Sequence, residues 1–186
     1  MSTPLIIHTP LTDAVIETLH AGDMVLLSGD VYTARDVAHR RLYEALGKGE
    51  KLPIDLRGTV IFYAAPSPTP SDKIIGSIGP TTSYRMDTFT PKLLENGLKG
   101  MIGKGSRSTE VVAAIQKHKA IYFGAIGGIA ALTAKCVIKA AIVAYEDLGP
   151  EAIRKLTIVE MPVIVINDTA GHDLYAEEQN KWRIPS

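Results

Sequence analysis

Short apolar runs, each closed by glycine, proline or a polar turn, leave this chain few ways to fold. Pro4–Thr9, Met24–Ser28, Thr59–Ala65, Gly100–Gly103, Ala120–Phe123, Cys136–Tyr145 and Leu156–Asn167 read as strands, and Ile74–Ile78 is a further apolar run. Thr12–Leu19, Pro91–Asn96, Thr109–Lys117 and Ile129–Ala134 read as short helices between them. Strands and helices alternate without a strict βαβ rhythm. The expected fold is therefore α/β, a single mixed-sheet domain whose function sits on its loops.

Local signals add detail. Gly29-Asp30 is expected to close the second strand, and Pro162 to break or edge the last. Thr33 followed by Asp36 resembles a capping box, with Asp in place of the usual Glu or Gln. On that reading Arg35 sits in the first helical turn, where the helix dipole disfavours a cation unless an anion neutralises it. Asp36 is one such partner, and His39 follows one turn on. Gly124–Gly128 reads as a turn. The tail from Thr169 is polar except for Leu174, Tyr175 and Trp182, and is expected to dock a partner or be partly mobile.

Composition removes several function classes. Lys plus Arg equals Asp plus Glu, so the formal net charge is zero. No general electrostatic grip on nucleic acid or an anionic membrane is expected, and any anion site must be local. The one cysteine, Cys136, excludes an internal disulfide and a cysteine-ligated metal centre built from this chain alone. No secretory leader is apparent at the start, and the apolar run containing Lys139 is too short for a membrane span. The expected compartment is the cytoplasm.

The densest chemistry lies in Gly79-Pro80-Thr81-Thr82-Ser83-Tyr84-Arg85-Met86-Asp87. Backbone N–H groups, hydroxyls and a guanidinium fork are what a carboxylate or phosphate needs. A polar turn between strands is the competing reading. Gly103-Lys104-Gly105 precedes a helix but is no Walker A motif, because Leu98 stands where its first glycine belongs and Gly105 follows the lysine. The loop can still present N–H groups and Lys104 to an anion, or be a solvated turn.

These segments, in this order, resemble the β subunit, or C-terminal domain, of the class I iron–sulfur fumarases and related tartrate dehydratases. The resemblance is carried by Gly29-Asp30 with Thr33–His39, by Gly79–Asp87, by Gly103-Lys104-Gly105, by Gly124–Gly128 and by Tyr145–Ala152. It covers nearly the whole chain, as one domain over residues 1–186. It implies a swivelling β/β/α domain and a hydro-lyase that reversibly hydrates fumarate to malate, or dehydrates tartrate. A non-catalytic dicarboxylate-binding module is the alternative. It implies a small dicarboxylate substrate and an α subunit whose cysteines ligate a 4Fe–4S cluster, with none bound by this chain alone. The assembly implied is a hetero-oligomer of two α and two β subunits. By position, Arg35, Ser83, Arg85 and Lys104 match substrate-binding residues, and Thr81 matches a proposed catalytic base that also contacts substrate. His39 and Asp87 fall inside the same motifs without an assigned contact.

Overall fold

A computed structural model describes residues 3–126 and 128–183. Strands β1 (Leu5–His8), β2 (Met24–Thr33), β3 (Val60–Phe62), β4 (Gly100–Gly103) and β5 (Ile121–Gly124) run parallel to one another in that order. Two further strands, β6 (Val137–Ala144) and β7 (Ile153–Asn167), are antiparallel partners at the far side, giving the order β1-β2-β3-β4-β5-β7-β6. The long strand β7 also pairs with β2. The strands β2, β3, β4, β5 and β7 therefore close into a barrel-like ring, with β1 and β6 as flanking edges.

The apolar runs are continuous because the ring is buried on both faces. Val31, Val60, Phe62, Ile102, Phe123, Leu156 and Val165 form one core with α1 (Asp13–Ile16). The alternate residues Ile61, Tyr63, Met101 and Tyr122 form a second core beneath α2 (Asp36–Gly47), α3 (Thr90–Glu95) and α4 (Thr109–His118). The parallel strands end at Thr33, Phe62, Gly103 and Gly124, and the loops after them emerge on one rim of the ring. In parallel α/β sheets that rim is where ligands bind.

Four local expectations change. Gly29 does not end β2. The strand continues to Thr33 past a register shift against β7 between Leu27 and Gly29. Gly29 has φ +109°, and a side chain there would meet Thr9 Oγ1 at 2.4 Å, so the irregularity requires glycine. Pro162 does not break β7. It falls between the stretch paired to β6, which ends at Ile158, and the stretch paired to β5, which begins at Ile164.

Nor does Thr33 cap α2. It is the last residue of β2, and its hydroxyl accepts from Arg154 N–H at 3.0 Å, an interaction with β7 that precedes any capping. Arg35 is the N-cap residue, outside the first turn, and its side chain makes no capping bond. The helix is capped from a distance instead: Val37 N–H donates to Glu151 Oε2 at 3.4 Å. The tail, finally, contains the helix α6 (Leu174–Trp182). Asp173 caps it by accepting from Tyr175 and Ala176 N–H, and Leu174 and Tyr175 pack on the second core. The short helix α5 is Ala130–Lys135. Gly127, in the expected turn before it, lies outside the described residues.

Candidate active site

The loop after β3 returns to the rim at Thr81. There Thr81 N–H donates to Tyr63 O at 2.6 Å, and Thr81 O accepts from Lys104 N–H at 3.3 Å. Ser83 N–H then donates to Lys104 O at 2.9 Å. The Gly79–Asp87 stretch is thus stitched by backbone hydrogen bonds to the segment that leaves β4. Thr81, Ser83 and Lys104, far apart in sequence, become neighbours. Lys104 is exposed at the rim and Thr81 is half-buried.

Ser83 turns the other way. Its hydroxyl is buried and lies 2.9 Å from Tyr122 Oη, whose own proton goes to Gly105 O at 2.8 Å. Burial pushes the Tyr122 phenol well above its ordinary pKa, with the Ser83 hydrogen bond opposing, so it remains a proton donor. The Ser83 side chain supports the Lys104 loop from beneath. Gly103 leaves room for it, since a methyl group there would stand 1.9 Å from Ser83 Oγ.

A 3-10 turn, Ser83–Met86, brings Arg85 back toward the start of α2. Arg85 Nε lies 2.8 Å from Asp36 Oδ1. Arg35, adjacent to Asp36, has its Nε 3.8 Å from Asp36 Oδ2 and its Nη2 3.5 Å from Glu151 Oε1. Two guanidinium groups therefore stand around one carboxylate. Among the described residues the Arg85 Nη edge makes no hydrogen bond, and the side chain is 42% exposed. An open guanidinium edge of this kind accepts a carboxylate in forked geometry.

The remaining two motif residues are structural. Asp87 Oδ1 accepts from Arg107 Nε at 2.7 Å, and Oδ2 accepts from Ser108 N–H at 2.7 Å. Arg107 also donates to Thr90 Oγ1 at 2.8 Å and stacks near the Tyr63 and Tyr122 rings. Arg107 was not among the expected site residues. Its position between two serines before a helix resembles a solvated loop, and only the fold shows it buried. The signal that could have found it is Asp87, a carboxylate in an otherwise cationic loop.

His39 is fully buried on α2 against the edge of Tyr63. Its Nδ1 lies 3.0 Å from Arg35 O, a carbonyl that can only accept, so Nδ1 carries the proton and Nε2 is a bare acceptor. Nε2 has no partner among the described residues. Burial pushes the imidazole pKa down to about 4; the Arg35 carbonyl and Asp36 oppose the shift, and Arg107 reinforces it. The unfolded chain takes up a proton near 6.5, whereas the native chain resists until about 4. Stability from this group is complete above the unfolded value and falls as the pH drops through that window, by about 3 kcal/mol in all. Urea unfolding of the wild type and of His39→Gln between pH 7 and 4.5 checks this. The variant is expected to show the shallower loss, and parallel profiles would refute it.

Cavities of about 490 Å³ lie elsewhere, one beside Tyr43, Lys92 and His118 and another beneath Lys73 and Lys135. The candidate site is a rim surface rather than an enclosed pocket of this chain. It does not fit an iron–sulfur cluster either. Cys136, half-buried after α5, directs its thiol to Leu132 O, and no three His, Cys, Asp or Glu side chains group as a metal site among the described residues. No helix is long and apolar enough to cross a membrane among the described residues.

Known proteins resemble this chain over most of its length. Fumarate hydratase class I, aerobic, from Escherichia coli K12 is 39% identical over 155 residues, covering 82% of this chain and 28% of that protein. A putative L(+)-tartrate dehydratase subunit beta from Methanocaldococcus jannaschii is 37% identical over 177 residues, covering 92% of this chain and 90% of that one. The L(+)-tartrate dehydratase subunit beta of Escherichia coli K12 is 36% identical over 179 residues, 94% and 88% of the two chains. The chain thus spans about 28% of the fumarate hydratases it matches and most of the tartrate dehydratase β subunits. Residues 3–178 match the family model described as Fumarase C-terminus, and the chain belongs to that family.

Proposed function

We propose that this chain is the β part of a two-part hydro-lyase that reversibly hydrates fumarate to malate. Arg35, Arg85 and Lys104 bind the substrate carboxylates, with Ser83 completing the loop they stand on. The observation that carries this reading is the pair of guanidinium groups gathered at Asp36, on the same rim as Lys104. A dicarboxylate carries two negative charges and needs more than one well-placed cation. Arginine supplies forked donors and lysine a point charge.

Hydration and dehydration of such a diacid require a proton to move at the carbon next to a carboxylate. Negative charge then builds on that carboxylate, and fixed cations stabilise it more in the transition state than in the ground state. Thr81 is the candidate base. A threonine hydroxyl at ordinary acidity is a poor base, so it acts only where cations favour its alkoxide or where it relays the proton. Its support is the clamped backbone between Tyr63 and Lys104, which holds it next to the Lys104 main chain.

The second reading, dehydration of tartrate, is favoured by the relatives that carry that name at 37% and 36% identity. The two substrates differ by a hydroxyl that a single polar side chain can distinguish. A 4Fe–4S cluster belongs to the proposal as a group ligated by the cysteines of an α partner. The swivelling β/β/α character, the single domain over 1–186, the two-α, two-β assembly and a cytoplasmic site of action belong to the same proposal.

The experiment is reconstitution. The chain is mixed with a cysteine-bearing α partner under anaerobic, iron-replete conditions and assayed with fumarate, malate and tartrate. Turnover of fumarate and malate only with both parts present is the expected result. Turnover of tartrate alone would select the second reading. Tight fumarate binding by the isolated chain, with no turnover on addition of the partner, would instead identify a dicarboxylate-binding module.

A further inference from the structure

We propose that Asp36 is a positioning residue that bridges the Nε groups of Arg85 and Arg35 and so aims their Nη edges at the dicarboxylate. This rests on the substrate reading above. Asp36 Oδ1 stands in ion-pair contact with Arg85 Nε at 2.8 Å. Its Oδ2 faces Arg35 Nε at 3.8 Å, and both of those atoms are buried without a hydrogen-bond partner among the described residues. A buried donor and a buried acceptor that face each other unpaired are both costly to leave so. The gap is about 1 Å longer than a charge-assisted hydrogen bond, and closing it satisfies both atoms at once.

The surroundings hold the carboxylate still while leaving Arg35 room to adjust. Asp36 is the first residue of α2, where the helix dipole favours an anion. The Arg35 carbonyl just before it accepts from His39 N–H at 2.8 Å and from His39 Nδ1–H at 3.0 Å, which anchors the backbone. Glu151 Oε1, at 3.5 Å from Arg35 Nη2, lies beyond the range of a strong charge-assisted bond, so that edge is held loosely. A carboxylate that takes both Nε groups fixes the separation and tilt of two forks. Each fork then keeps its Nη pair for a substrate carboxylate. Small errors in such placement carry large kinetic costs.

Asp36→Asn in the reconstituted enzyme is expected to raise the KM for the dicarboxylate roughly 10–100-fold, with kcat far less affected. In an Arg85→Lys background, which lacks the Nε donor, the same change is expected to add little, because the coupled partner is already gone. If Asp36→Asn unfolds the chain, Arg85→Lys alone tests the bridge and is expected to raise the KM likewise. Independently of turnover, ¹⁵N NMR of the full chain is expected to show an Arg85 Nε–H resonance that Asp36→Asn shifts. An unchanged KM in both variants, or an Arg85 Nε–H signal indifferent to Asp36→Asn, overturns the inference. Absence of turnover of fumarate, malate and tartrate by the wild-type pair would refute the substrate reading instead, and the NMR result would still decide the bridge.

Discussion

Asp87→Ala is expected to destabilise the chain by about 3–5 kcal/mol, the cost of breaking a buried ion pair by removing one partner. The Arg107 side chain is fully buried and Asp87 nearly so. Without the carboxylate, the guanidinium remains in the second core among Tyr63, Thr90, Met101 and the Tyr122 ring, none of which carries a negative charge. Water cannot repay the lost charge interaction there. The change also removes the acceptor for Ser108 N–H at the entry to α4. Urea unfolding reads the effect as a lower midpoint at unchanged slope. A loss below about 1 kcal/mol would show that the pair is screened as a surface pair would be. Because the 3-10 turn carrying Arg85 ends at Asp87, a partial loss of activity is expected to accompany the loss of stability.

Arg85→Ala is expected to leave stability almost unchanged and to lower kcat/KM of the reconstituted enzyme by about 2–5 kcal/mol of transition-state binding, roughly 30- to several-thousand-fold. Its side chain is well exposed, and its ion pair to Asp36 is of a kind that contributes little to folding. The proposed carboxylate contact, by contrast, would be shielded once a partner covers the rim, where an unpaired charge is costly. Arg85→Lys is expected to fall between the two, since it keeps the charge and loses the fork. Steady-state kinetics on the three enzymes, with thermal midpoints alongside, provide the check. Normal kinetics in Arg85→Ala would remove Arg85 from the substrate site.

Together these expectations assign the charged residues of one short loop to opposite tasks. Asp87 faces inward and holds the loop to α4, while Arg85 faces outward on the rim. Ser83 belongs with Asp87 in this respect, because its hydroxyl is spent on Tyr122. Lys104 belongs with Arg85.

The strand segments and the mixed α/β class are legible in the sequence alone, and so is the density of polar groups in Gly79–Asp87. Continuous apolar runs closed by glycine or proline admit few alternatives, and Gly79–Asp87 has too many polar groups for a core. With Cys136 as its one cysteine, the sequence also offers no set of thiolates for a metal centre. Which hydroxyls and charges face the rim follows from packing and long-range pairing instead. Local signals mark Thr33 as a cap, but its hydroxyl meets the backbone of β7 before it can reach its own helix. Arg107 and Asp87 look like exposed charges until the ring packs α3 and α4 over them. The closure of β2 against β7 depends on pairings between residues more than a hundred positions apart, and the rim that carries Arg35, Arg85 and Lys104 depends on the parallel pairing of β2 with β3 and of β3 with β4. Local periodicity carries no record of such partners, since hydrogen bonding along a strand specifies where a neighbour must lie but not which segment supplies it.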